Sequence, residues 1–112
     1  MRNMPQNTHN LEEITIPQSI LFHPDLSPRE RILCGVMKEL AKGEEWIEAT
    51  NTELASMIGV DPQIVSNSIA KLRDLGLITV KFALTEKTGV KFRQYDKGSR
   101  KVSPFRRIYL NY

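Results

Sequence analysis

The stretch from Thr50 to Ile78, TNTELASMIGVDPQIVSNSIAKLRDLGLI, constrains the fold of this chain more than any other. It reads as a helix, a short turn, a second helix, and then an apolar strand entered through Gly76. Thr50 and Glu53 have the T-x-x-E spacing of a capping box, in which each side chain covers an orphan backbone amide. Gly59 falls where the first helix must stop, because glycine takes the left-handed cap conformation cheaply. Asp61 suits the N-cap of the second helix, and Pro62 fits its first turn, where no amide is missed. Within that second helix, about 62–75, Val65, Ile69 and Leu72 fall on one face and point into a core. Gln63, Ser66, Asn67, Ala70 and Lys71 are left on the other face, which is small, polar and cationic. Such a face suits the major groove of duplex DNA.

The charge distribution agrees with that reading. Over residues 1–75 the net charge is −4, and over residues 76–112 it is +7. The cationic third consists of Lys81, Lys87, Lys91, Arg93, Lys97, Arg100, Lys101, Arg106 and Arg107 against Glu86 and Asp96. A molecule polarised in this way orients a polyanion.

The rest of the chain organises around this unit. Residues 1–11 are polar and aperiodic, and a disordered arm is expected there, followed by one domain over 12–112. Glu12 to Phe22 alternates weakly around Ile14 and Ile16, as an edge strand or extended lead-in does. Ser27-Pro28-Arg29-Glu30 is a second capping box with proline at the first helical position. The helix it opens runs to about Lys42, buries Ile32, Val36 and Leu40 with Leu33 and Met37 alongside, and is ended by Gly43. Trp46 to Ala49 is long enough only for a short strand.

After Gly76, Ile78, Val80, Phe82 and Leu84 alternate with Thr79, Lys81 and Ala83. Thr85 to Gly89 reads as a turn, Val90 to Tyr95 as a returning strand, and Asp96 to Ser99 as a second turn. A last strand is expected over Arg106 to Tyr112, with Ile108 and Leu110 inward. The fold class is α+β: three helices and a small antiparallel sheet, with a long wing over about 77–112.

These residues resemble the winged helix-turn-helix family. More narrowly, ITIPQSILFHPDLSPRERIL followed by NTELASMIGVDPQIVSNSIAKLRDLGLITV is similar to the N-terminal domains of phage and plasmid replication initiators, or replisome organisers. The resemblance covers about residues 14–84. It implies sequence-specific binding of double-stranded DNA in replication initiation. An operator-binding transcriptional regulator uses the same recognition helix and is the alternative. A third reading, from another class, makes the domain a protein-interaction module of a replisome or regulatory complex, or a homodimer joined through the Ile14–Phe22 segment.

Candidate DNA contacts follow from residue type and position. Gln63, Ser66 and Asn67 face bases, since side-chain amides pair bidentately with adenine in the major groove. Asn51 and Thr52, at a helix N-terminus, suit a phosphate. Lys71 suits either a phosphate or the dipole at the helix C-terminus. Lys91, Arg93, Lys97, Arg100 and Lys101 are the wing contacts to backbone or minor groove, with Lys87 as a further wing cation.

No chemistry of another kind is signalled. His9, His23 and Cys34 are too scattered for a metal site, and Cys34 reads as a small core residue. Glu44, Glu45 and Glu48 lack a convergent partner for acid–base work. No phosphate-binding glycine loop, G-x-S-x-G or H-E-x-x-H motif is present, so neither an enzyme nor a cofactor is expected. A single cysteine favours a reducing compartment. No apolar run approaches the roughly 18–20 residues of a membrane span. The expected location is the cytoplasm of a bacterium or of a phage-infected host.

Overall fold

The computed structural model describes residues 13–86, 89–94 and 106–112, and side chains 83–94 are outside that description. Four helices and four strands follow in the order α1 (Gln18–Leu21), α2 (Pro28–Ala41), β1 (Trp46–Ile47), α3 (Asn51–Ile58), α4 (Pro62–Asp74), β2 (Ile78–Glu86), β3 (Gly89–Gln94) and β4 (Arg106–Leu110). The strands form one antiparallel sheet in the order β1-β4-β2-β3. This is the α+β architecture of a winged helix-turn-helix, with one helix more than the periodicity predicts.

The additional helix lies in the segment expected to be extended. Residues 13–17 belong to neither helix nor strand, and Pro17 then caps a single turn. The Pro17 carbonyl accepts from the amides of Ile20 and Leu21, both at 2.9 Å, and Ile20 is fully buried. One turn has too few residues for a periodic signal, so alternation around Ile14 and Ile16 dominates the sequence pattern.

The capping signals hold with two exceptions. Ser27 Oγ accepts from the Glu30 amide at 3.2 Å while Glu30 Oε1 accepts from the Ser27 amide at 2.8 Å, a complete box. At α3 only half of the expected box forms. Thr50 Oγ1 accepts from the Glu53 amide, but the Glu53 carboxylate takes the Thr50 hydroxyl instead of its backbone amide. The end of α2 also differs from expectation. Lys42, one residue before Gly43, takes the left-handed cap at φ 50°, and Gly43 continues the turn at φ 88°.

The core joins both halves of the chain. Leu33, Met37, Leu54, Val65, Leu72, Ile78 and Ile108 are almost fully buried, with Val36, Ile47, Ile69 and Val80 close behind. Ile58 is only half-buried at the edge of this core. Ile32 is a clear correction: 44 % of its surface is exposed. The buried stripe of α2 is centred instead on Leu33, Met37 and Ala41, with Cys34 and Gly35 beside it. Gly35 is buried by a different neighbour: a Cβ built there would lie 3.0 Å from Ile16 Cγ1 and 3.3 Å from Ile14 Cδ1, because the lead-in crosses α2 over this glycine.

The C-terminal strand departs most from the wing picture. β4 does not extend the hairpin but inserts between β1 and β2, pairing Ile108 with Ile47 on one side and Val80 on the other. Residues 106–112 therefore belong to the core sheet, and β2 with β3 forms the hairpin at its edge. Paired strand runs through Thr85↔Val90 to Glu86↔Gly89, so Thr85, Glu86 and Gly89 of the expected turn are strand, and 87–88 lie outside the described residues. The arm over 1–11, the turn over Asp96 to Ser99 and the cations Lys87, Lys97, Arg100 and Lys101 lie outside the described residues.

Ile69 is 5 % exposed on the inner face of α4. Replacing it with alanine should cost about 2–5 kcal/mol by removing apolar contact and leaving a cavity. Thermal melting checks this, and an unchanged midpoint would remove Ile69 from the core.

Candidate nucleic-acid interface

The turn between α3 and α4 sets the geometry of the candidate reader. Gly59 closes α3 at φ 73°, a conformation that a Cβ would disfavour. Its amide and that of Val60 both donate to the Ala55 carbonyl, at 2.9 and 3.0 Å. Asp61 Oδ1 then accepts from the Gln63 amide at 2.8 Å and starts α4. These three bonds each span five residues or fewer, so the junction between the helices is held locally.

Burial of Val65, Ser68, Ile69 and Leu72 fixes the rotation of α4 about its own axis. Gln63 and Asn67 are consequently exposed, and Ser66, Ala70 and Lys71 are partly so. Gln63 Nε2 donates to Asn67 Oδ1 at 3.1 Å, one helical turn away. This bond leaves the Gln63 carbonyl as an acceptor and the Asn67 amino group as a donor on the same face, the complement that an adenine edge requires. Ser68 is the one polar residue of α4 drawn into the core, and the period places it there between Val65 and Leu72.

The axial position of α4 is fixed by ionic contacts and by its C-terminus. Lys71 Nζ donates to Glu30 Oε1 at 2.8 Å, tying the helix to the capping box of α2. Burial raises the affinity of Glu30 for a proton. The Lys71 hydrogen bond, the amide and hydroxyl of Ser27 and the Lys71 charge outweigh it and hold the carboxyl below the usual range. At the C-terminus Gly76 takes φ 77°, and Asn111 Nδ2 donates to its carbonyl at 3.1 Å. Neither contact is legible from spacing, since Glu30 and Lys71 are far apart in sequence.

At the N-terminus of α3, Thr52 is exposed while Asn51 is half-buried. Arg106 on β4 donates Nη2 to Asn51 Oδ1 at 2.6 Å and Nε to the Ala49 carbonyl at 3.1 Å. Burial lowers the Arg106 pKa, and the charge of Glu53 opposes that shift. With its oxygen occupied, the Asn51 amide has its amino group left to offer. Sequence spacing assigned Arg106 only to the basic segment, because the register that brings β4 to α3 is a tertiary fact. Lys91 and Arg93 pair by backbone with Leu84 and Phe82 on β2, and their side chains lie outside the described part.

Other chemistry is sparse. Among the described residues no three His, Cys, Asp or Glu side chains gather as a metal site. Cys34 is fully buried, and burial pushes its thiol up to about 11. Among the same residues, no helix is long and apolar enough to cross a membrane.

The model of the Crp-like helix-turn-helix domain matches residues 31–86, half of the chain, from α2 to the end of β2. No curated protein matches it.

The Glu30–Lys71 pair gives a pH signature. The Glu30 carboxyl is depressed in the folded state, so its contribution is present above the unfolded value of about 4.5 and is lost as pH falls through the lower folded value. The Lys71 side chain is 42 % exposed, and screening limits the pair to about 1 kcal/mol. Lys71→Met should therefore melt a few degrees below the parent at pH 7, with the gap closing below about pH 4.5. Paired melts across that range check both the size and the sign.

Proposed function

Because the chain belongs to the Crp-like helix-turn-helix domain family, a DNA-binding module, we propose that it reads a specific duplex sequence through α4. The observation that carries this reading is the exposed Gln63–Asn67 amide pair on a helix whose rotation, entry and exit are all fixed. Bidentate readout is sensitive to small displacements, so it needs a rigidly held helix. In this reading Gln63, Ser66 and Asn67 meet base edges. Thr52 and the amino group of Asn51 meet a phosphate at the start of α3. Lys91 and Arg93, with Lys97, Arg100 and Lys101, meet flanking backbone. Lys71 acts mainly as the tether to Glu30.

Two targets fit this interface. Similarity of the I-T-I-P…D-L-S-P lead-in to phage and plasmid replication initiators supports an origin. The Crp-like match supports an operator and transcriptional regulation. Both use the same recognition chemistry, and mapping the bound sites on the source genome separates them. Specific sites for a module of this size are short, so two copies on adjacent half-sites fit either target.

Two measurements test the reading. Gln63→Ala and Asn67→Ala should each weaken binding to the best genomic site by about 1–3 kcal/mol, leaving nonspecific binding nearly intact. Parental affinity in both variants would exclude α4 as the reader. The double variant Lys91→Ala, Arg93→Ala should weaken all duplexes alike and flatten the slope of log affinity against log salt by roughly one to two units. Base preference should persist, because phosphate contacts position the protein without reading sequence.

A further inference from the structure

The sheet has a second face that the reader does not use. Its inner face is core, with Ile47, Ile78, Val80 and Ile108 buried against the helices. Strand alternation places Trp46, Thr79, Lys81, Arg107 and Tyr109 on the opposite face. Trp46 pairs directly with Tyr109, Tyr109 with Thr79, and Arg107 with Lys81. All five are half-buried. The Arg107 guanidinium lies 4.1 Å from the centre of the Trp46 ring, and the Lys81 ammonium lies 4.7 Å from that of Tyr109. Two neighbouring rings thus sit on β1 and β4, and β4 and β2 supply the cation that accompanies each. Glu48 holds Arg107 from its edge at 3.0 Å, which fixes the guanidinium over the indole.

We propose that this outer sheet face is a second nucleic-acid site, one that takes single-stranded polynucleotide. The charge is complementary: β2 and β4, which supply both cations, belong to the segment of net charge +7. The shape selects the form of nucleic acid. A duplex hides the faces of its bases within the stack, whereas an unpaired strand offers them to aromatic side chains. Adjacent positions on paired strands are about 5 Å apart, so Trp46 and Tyr109 can take neighbouring bases. Lys81 and Arg107 lie over one side of these rings, so a base stacks against a ring already paired with a cation, and the cations attract the phosphates of the same strand. Recognition of this kind tolerates sequence, since every base has a π-face. It differs in kind from groove readout by α4 and stands whether or not that reading does.

Trp46 is the only tryptophan of the chain, so its fluorescence reports this face directly. The test titrates the full chain with a short oligothymidylate at low salt. Saturable quenching is expected. Tyr109→Ala should lower the affinity about five- to a hundredfold, and Tyr109→Phe, which keeps the ring, should restore it. Duplex binding by Tyr109→Ala should match the parent, and saturating specific duplex should leave the quenching curve in place. Absence of quenching overturns the proposal, as does displacement by the duplex. So does equal quenching by heparin with no effect of Tyr109→Ala, the behaviour of a surface that responds only to charge. If Tyr109→Ala melts below the working temperature, Lys81→Ala reads the same face. It should weaken oligothymidylate binding and flatten its salt slope by roughly 0.7, and parental binding would overturn the proposal.

Discussion

The insertion of β4 between β1 and β2 is the constraint on which the rest of the structure depends. β1 has two residues, too few to stand alone, and it exists because Trp46 and Ile47 pair with Tyr109 and Ile108. Ile108 is fully buried at the centre of the sheet. Its neighbours carry the long-range ties. Arg106 holds the start of α3 through Ala49 and Asn51. The Leu110 amide donates to the Glu45 carbonyl, and Asn111 binds the exit of α4 at Gly76 and Leu77. Tyr112 donates its hydroxyl to the Cys34 carbonyl at 2.7 Å, which docks the last residue on α2. One seven-residue segment therefore holds the start of α3, the exit of α4 and the middle of α2.

The two helices of the DNA-binding unit are held from both sides as a result. On the N-terminal side the ties are local: Thr50, Asp61 and Gly59 satisfy groups within a turn of themselves. On the other side they come from distant residues, Glu30 for the side chain of Lys71 and Asn111 for the backbone beyond α4. Local ties set the angle between the helices, and distant ties set where the pair sits on the domain. A reader of base edges needs both, because bidentate pairing tolerates little displacement.

Much of this was legible in the sequence, and the limit has a physical cause. Capping side chains act over three residues, so Ser27–Glu30, Asp61 and Gly59 could be placed from spacing alone. Amphipathic period gave the inner face of α4 correctly, including Val65, Ile69 and Leu72. The errors share one origin. The burial of Gly35 is invisible in the period because the lead-in crosses α2 there, a contact between segments that no helical period encodes. The last strand reads as part of the wing because its alternation is the same at an edge or in the middle of a sheet. Arg106 and the Glu30–Lys71 pair escaped notice for the same reason: each joins residues that only the fold brings together.

Charge and fold then divide the surface by task. The acidic portion over residues 1–75 contains the recognition helix itself, so attraction to a polyanion must come mainly from the cationic segment. That segment builds β2, β3 and β4, which flank the helices. In the proposed reading this segment supplies the attraction and α4 the readout, so the charge asymmetry favours one orientation of approach over its reverse. The low charge of the outer face of α4 is an advantage under this arrangement. In the proposed reading Gln63 and Asn67 carry no charge, so what they add to binding is weighted toward discrimination.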